Sequence, residues 1–125
     1  MKKAELYAEL RELTAKLSEV EAVIVEGARD AKALRELGFA GDILLCSARL
    51  SRGALIDSVA SRYHRVAILT DFDQKGRKLC RELMAGLERR GVKIEKRYRR
   101  LFRKVLVKRG MRAVEAISSL GRLID

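Results

Sequence analysis

The spacing of apolar residues changes several times along the chain, and each change predicts a new secondary-structure element. The first apolar stripe recurs at helical intervals and consists of Leu6, Leu10, Leu13 and Leu17. This spacing predicts an amphipathic helix over residues 3–18. The next apolar stretch, AVIVEG at 22–27, is short, β-branched and ends in glycine, which predicts a buried strand.

Short apolar runs and helical stripes continue to alternate through the rest of the chain. Further strands are predicted at DILLCS (42–47), at RVAILTDFD (65–73) and, as a more polar edge strand, at VKIEKR (92–97). Helices are predicted between them, over residues 28–39, with Gly38 at the C-terminal end, 54–63 and 74–91. A basic helix is predicted from Tyr98 to Leu106. After Gly110, a last helical stripe comprises Val114, Ile117, Leu120 and Ile124.

Four strands that alternate with helices predict an α/β fold, in which a parallel sheet has helices on both faces and right-handed crossovers. Ligands of such folds bind beyond the carboxyl ends of the strands. A strand order of 2-1-3-4 would place the ends of strands one and three side by side. The residues at the strand ends are therefore the candidates for a functional site: Glu26-Gly27, Cys46-Ser47 and Thr70 to Asp73.

Carboxylates occupy two of these three strand ends. Asp71 and Asp73 are two residues apart, so both point the same way in an extended segment, toward Glu26 on the neighbouring strand. Three close carboxylates repel one another unless a proton or cation intervenes, and Mg²⁺ favours carboxylates with waters and phosphate oxygens. The pattern predicts a metal site. An alternative is that Asp73 caps the helix that follows it, but capping does not account for Glu26.

The segments VIVEGARDAKAL and AILTDFDQKGRKL resemble the two signatures of the Toprim domain, E-G-x-x-D and D-x-D-x-x-G. The resemblance covers residues 20–100 and is greatest to the small stand-alone Toprim proteins of archaea. Topoisomerases, bacterial primases and the 5S rRNA maturation nuclease contain the same domain. The whole chain, 1–125, is expected to form one such domain: a lead-in helix (1–19), the Toprim core (20–97) and basic, apolar helices (98–125).

The resemblance implies a role for each matching residue. Glu26 corresponds to the glutamate that acts as general acid or base or positions metal, and Asp71 and Asp73 correspond to the metal-binding pair. Asp30 is expected to support the site by hydrogen bonding from the start of its helix. Gly27 is expected to allow a tight turn, and Gly76 to let a phosphate approach the backbone. The implied cofactor is Mg²⁺, with Mn²⁺ as a substitute.

Positive charge is concentrated in the last third of the chain. The net charge is +11, and residues 91–112 contain ten Lys or Arg and one acid, Glu95. This clustering favours a nucleic-acid partner, although a charge-rich surface of a heat-stable protein is the alternative. The expected phosphate contacts near the second motif are Lys75, Arg77 and Lys78, which could equally be a solvated helix face. The expected phosphate contacts on the basic helix are Arg99, Arg100, Arg103 and Lys104.

Other chemistry is not favoured by the sequence. No apolar run approaches the ~18 residues of a membrane span, and the N-terminus lacks the apolar core of a signal peptide, so a cytoplasmic protein is expected. Cys46 and Cys80 lie far apart and are interpreted as buried hydrophobes rather than ligands. His64 is interpreted as a surface residue. A topoisomerase would need a nucleophilic tyrosine on a further domain, for which 125 residues leave no room.

Three functions remain open at this point. The first is a Mg²⁺-dependent nuclease or related phosphoryl-transfer enzyme acting on structured RNA or DNA. The second is a non-catalytic nucleic-acid-binding subunit of a larger processing complex, and the third is a binder of small phosphates or nucleotides. The sequence leaves open whether a protein partner or a second copy of the chain completes the assembly. The leucine stripe of residues 6–17 is expected to pack on its own domain.

Overall fold

The computed structural model describes residues 2–108, and the predicted helix after Gly110 lies outside the described residues. Four strands form one parallel sheet in the order β2-β1-β3-β4, as predicted. The strands are β1 (Ala22–Val25), β2 (Asp42–Leu45), β3 (Arg65–Leu69) and β4 (Lys93–Ile94). The helices are α1 (Lys2–Lys16), α2 (Ala28–Glu36), α3 (Arg52–Arg62), α4 (Gln74–Arg89) and α5 (Arg97–Val107). A short 3-10 helix, Leu17–Glu19, continues α1.

Alternate residues of the two central strands bury opposite faces of the sheet. Val23 and Val25 of β1 contact a core formed with α1, α2 and α5. Ala22 and Ile24 contact a second core formed with α3 and α4. Because each strand is covered on both sides, its sequence reads as a continuous apolar run, as expected for the centre of a parallel sheet.

The leucine stripe of α1 is buried in its own domain, as expected, and it meets the basic helix α5 there. Tyr98 and Phe102 of α5 are almost completely buried in the same core. The Tyr98 hydroxyl donates a hydrogen bond to the carbonyl of Lys16 at 2.7 Å, and Arg97 forms an ion pair with Glu19. The described part of the basic region is therefore an integral layer of the domain and not an appended tail.

Several strands are shorter than predicted, because the loops that follow them begin earlier than the apolar pattern indicates. β3 was expected to reach Asp73 but ends at Leu69, and β4 was expected over 92–97 but has two residues. β1 and β2 end after Val25 and Leu45. Beyond these residues the backbone no longer pairs as a strand and forms turns instead. Gly38 follows the C-terminal end of α2, as predicted, with a φ of 101°, a conformation that favours glycine.

Within residues 2–108, none of the helices is long and apolar enough to span a membrane.

Candidate functional site

The register of the sheet places Glu26 and Asp71 beside each other. Val25 at the end of β1 pairs with Leu69 at the end of β3, so the residues that follow both strands emerge at the same edge. The Asp71 main-chain N–H donates a hydrogen bond to Glu26 Oε1 at 3.2 Å. The expected adjacency of strands one and three, and of these two acids, is therefore found.

The Asp71 side chain carries the most perturbed carboxyl group at this edge. Burial raises the pKa of Asp71 to about 7, and hydrogen bonding with the Glu26 side chain and repulsion from its charge add to that increase. Asp30 and Asp73 raise it further through their negative charges. Around neutral pH, a proton on Asp71 thus relieves the repulsion that the sequence predicts for clustered carboxylates.

Asp73 does not complete a three-carboxylate cluster. Its Oδ1 accepts a hydrogen bond from the Gly76 N–H at 2.7 Å, so the side chain caps α4. Across residues 2–108, no three His, Cys, Asp or Glu side chains lie close enough together to enclose a metal ion. The expected convergence of all three acids is therefore limited to Glu26 and Asp71, and the capping alternative for Asp73 is observed.

Asp30 supports the turn after β1, as the resemblance implied. It is buried, and its Oδ2 accepts a hydrogen bond from the Gly27 N–H at 3.0 Å. The expectation for Gly27 is not met. Its backbone is extended, with a φ of −145°, a conformation that any residue adopts, and an added Cβ would lie 3.9 Å from Ser47 Oγ, an ordinary contact.

Gly76 is required by a contact within the protein. A Cβ on this residue would lie 2.0 Å from the Asp71 carbonyl oxygen, which is a severe clash with the main chain. Within the described structure the close approach is made by the Asp71 backbone, and the expected approach of a phosphate stays a prediction. The hydroxyl of Thr70, a predicted strand-end residue without an assigned role, is buried and donates to the Gly76 carbonyl at 2.7 Å. Two contacts thus fix the turn after β3 to the first turn of α4: the packing of Gly76 against the Asp71 carbonyl and the hydrogen bond from Thr70 to Gly76.

Arg99 approaches the same turn from α5. Its Nη2 donates to the Asp71 carbonyl at 2.6 Å, and its guanidinium lies 5.4 Å from the centre of the buried Phe72 ring. Burial lowers the pKa of Arg99, and the charges of Arg103 and Arg77 lower it further. Its Nε is shielded from solvent and has no hydrogen-bond partner in the described structure. Arg99, predicted as a phosphate contact, thus also binds the main chain of the acidic turn.

The predicted cations occupy four different places. Lys75 lines a crevice of about 330 Å³ together with Glu26. This crevice also contains Ser47, one of the predicted strand-end residues, and Arg52, which the sequence pattern did not single out. Lys78 is exposed on α4. A second cavity, between α4 and α5, is lined by Arg77, Arg99, Arg100 and Arg103. Lys104 faces a groove between α5 and α1, so the basic helix does not present its cations on one continuous face.

The histidine and the two cysteines mostly match their interpretation as surface or buried structural residues. His64 is exposed on 95% of its side chain, and Cys80 is buried. Cys46, expected to be buried, is only half-buried, because it lines the crevice beside Glu26. Burial nevertheless raises the pKa of its thiol to about 11, so the thiol is protonated at neutral pH.

Comparison with known protein families matches residues 21–104 to the Toprim domain, and the chain therefore belongs to the Toprim domain family. Members of this family typically bind Mg²⁺ and act on nucleic acids. The matched segment includes both acidic turns and most of α5.

Within this family the chain is related to the archaeal UPF0292 proteins. It is 42% identical over 120 residues to the UPF0292 protein of Thermococcus gammatolerans, covering 94% of this chain and 86% of the relative. It is 40% identical over 119 residues to that of Pyrococcus horikoshii, covering 93% and 86%. A solved structure from Aquifex aeolicus superposes with a TM-score of 0.68 and 23% identity over 90% of this chain and 95% of that one, which supports the fold.

The two motif glycines are expected to respond differently to the same substitution. Gly76→Ala places a methyl group against the Asp71 carbonyl and should lower the free energy of unfolding by at least about 2 kcal/mol, since the main chain must move. Gly27→Ala meets only ordinary contacts and should cost less than about 1 kcal/mol. Urea denaturation of both variants measures the difference, and equal destabilisation would contradict the assignment of the close approach to Gly76.

The raised pKa of Asp71 predicts a specific dependence of stability on pH. The protonated form is favoured in the folded state, so its contribution is fully present below about pH 4 and disappears as the pH rises through about 7. Because Asp71 is only partly buried, screening limits the effect to about 1–2 kcal/mol. In metal-free buffer, Asp71→Asn should therefore stabilise the protein more at pH 8 than at pH 4.5. A stabilisation independent of pH would contradict this account.

Proposed function

We propose that this protein is a Mg²⁺-dependent, nuclease-like enzyme that cleaves phosphodiester bonds in structured RNA or DNA. The observation that carries the proposal is the paired carboxyl site. Two carboxyl-bearing residues from separate strand ends are in contact, and the pKa of one is raised to about 7. Perturbed carboxyl pairs at the carboxyl edge of a parallel sheet are typical of functional sites.

The residues present suit a hard divalent cation. Glu26 and Asp71 offer carboxylate oxygens, and their mutual repulsion, now relieved by a proton, would equally be relieved by Mg²⁺. Asp73 does not complete a three-carboxylate set among the described residues, and its Oδ1 caps α4. Mg²⁺ commonly takes only one or two protein carboxylates, with water and phosphate oxygens in its other positions. When bound, the ion would stabilise the charge that develops on the phosphate oxygens.

Glu26 is the residue placed to move a proton. Its Oε1 accepts the Asp71 N–H, which holds the carboxylate at the mouth of the crevice that it shares with Lys75. A carboxylate held in this way can accept a proton from an attacking water and return it to a leaving oxygen. Lys75 supplies positive charge in the same crevice, whereas the charge of Arg52 is balanced by an ion pair with Glu82. Lys75 would therefore favour binding of a phosphodiester there despite the neighbouring acids.

A non-catalytic nucleic-acid-binding subunit is the second candidate function. The capping role of Asp73 favours it, since one potential metal ligand is partly engaged in holding α4. In this case the same crevice and basic helix would hold the strand, and another subunit would supply the remaining catalytic groups. The two candidates differ in whether this chain alone cleaves a strand when metal is added.

Incubation with folded RNAs and with single-stranded and branched DNAs, with and without Mg²⁺ or Mn²⁺, tests the proposal. Cleavage is expected only with metal, and Glu26→Gln should reduce its rate by at least about 100-fold, because a general acid–base group contributes that much or more. Glu36→Gln makes the same chemical change at an exposed position at the far end of α2 and should leave the rate unchanged.

Strand binding without metal-dependent cleavage would favour the non-catalytic subunit. Equal rates for wild type and Glu26→Gln would remove Glu26 from the chemistry, whatever the source of the cleavage.

A further inference from the structure

The early end of β4 leaves a cavity beside the acidic turn. Only Lys93 and Ile94 pair with β3, opposite Arg65 and Val66, so in the described structure the rest of β3 has no strand on that side. The space between α4 and α5 is a cavity of about 390 Å³. Its floor is apolar and consists of Ile68, Cys80, Met84 and Ile94.

The rim of this cavity is entirely cationic. It is formed by Arg77, Lys96, Arg99, Arg100 and Arg103, and among the described residues no carboxylate lines it. Lys96 pairs with Glu88 outside the cavity, whereas none of the four arginines forms an ion pair among residues 2–108. The arginines repel one another, as the effect of Arg77 and Arg103 on the pKa of Arg99 shows. Guanidinium groups gathered around one cavity without a carboxylate favour an anion there.

Arg99 connects this cavity to the paired carboxyl site. Its side chain lines the rim, while its Nη2 donates to the Asp71 carbonyl. A group bound among the arginines therefore lies next to the turn that carries Asp71. Glu26, which lines the crevice, and Arg99, which lines the cavity, both bind the Asp71 main chain. A nucleic-acid strand whose phosphodiester occupies the crevice could therefore continue into the cavity.

We propose that this cavity holds one unstacked nucleotide of the substrate strand, with its base on the apolar floor and its phosphate among the arginines. The volume lies within the usual range of small-ligand sites, about 300–1,000 Å³, and an apolar floor with a polar rim is their usual construction. A phosphate alone would make no favourable contact with the apolar floor. Arg planes and the Met84 thioether are both suitable surfaces for a nucleobase.

This inference rests on the proposed function and adds a substrate class to it. A base that is paired and stacked in a duplex cannot reach the floor of the cavity, so the protein should select unpaired nucleotides: single strands, loops, bulges or frayed ends. Proteins that recognise unstacked bases in this way bind single strands in preference to duplexes.

The test measures fluorescence anisotropy of labelled oligonucleotides with full-length protein in EDTA, where no cleavage occurs. The probes are a single strand of about 12 thymidine nucleotides, the same strand with every base removed, and a duplex of the same length. We expect the single strand to bind about fivefold more tightly than the abasic strand, which lacks the base contact, and more tightly than the duplex.

Two variants separate recognition of the base from recognition of the phosphate. Met84→Gln makes the floor polar and should bring the affinity for the thymidine strand close to that for the abasic strand, with little change in salt dependence. Arg103→Ala should weaken the binding of both strands and reduce the slope of log affinity against log salt by about 0.7 for each phosphate that the variant no longer neutralises. Arg11→Ala, on the exposed face of α1, is the matched control and should change neither. Thermal melts confirm that each variant is folded.

Equal affinity of the wild type for thymidine and abasic strands would overturn the proposal, as would an Arg103→Ala variant that behaves like Arg11→Ala. Absence of strand binding in EDTA would overturn it too. These outcomes are distinguishable from failure of the proposed function, which is measured by metal-dependent cleavage and by Glu26→Gln. Cleavage that survives in a protein without base preference would leave the proposed function standing and remove only the nucleotide cavity.

Discussion

The main-chain approach of Gly76 to Asp71 is the constraint on which the site depends. Because residue 76 has no Cβ, the first turn of α4 lies directly against the Asp71 carbonyl. Thr70 reinforces this packing by donating to the Gly76 carbonyl. Arg99 holds the same Asp71 carbonyl from the side of α5. The Asp71 side chain is thereby kept beside Glu26, although the two acids raise each other's energy.

This constraint also explains how opposite charges are arranged around one turn. The Glu26 and Asp71 carboxyls lie at the edge of the sheet, and the arginines of α4 and α5 lie around the adjacent cavity. A phosphate backbone would be repelled by the first group and attracted by the second, so in the proposed complex the cations would determine where the strand binds. A divalent cation would reverse the local repulsion at the carboxyls. On this account, metal and strand strengthen each other's binding.

The sequence predicted the architecture well because apolar periodicity reports burial directly. Continuous apolar runs in β1 and β3 reflect strands covered on both faces, and the E-G-x-x-D and D-x-D-x-x-G patterns mark the turns that follow them. The pattern could not decide whether Asp73 caps or binds metal, since both roles suit an aspartate before a helix. Nor could it predict the direction of Arg99, which depends on the packing of Tyr98 and Phe102 beneath α5. The length of β4 was overestimated because the residues that flank Lys93 and Ile94 have strand-like alternation but lie outside the paired strand.

The most direct test of the account is the location of bound Mn²⁺, measured by NMR of uniformly ¹⁵N-labelled protein. Paramagnetic broadening by substoichiometric Mn²⁺ should first remove the amide signals of Gly27 and Asp71. Signals of Glu21 and Arg65, at the opposite ends of β1 and β3, should persist, and Asp71→Asn should abolish the selectivity. Broadening centred elsewhere, or the same pattern in Asp71→Asn, would contradict a metal site built on this pair of carboxylates.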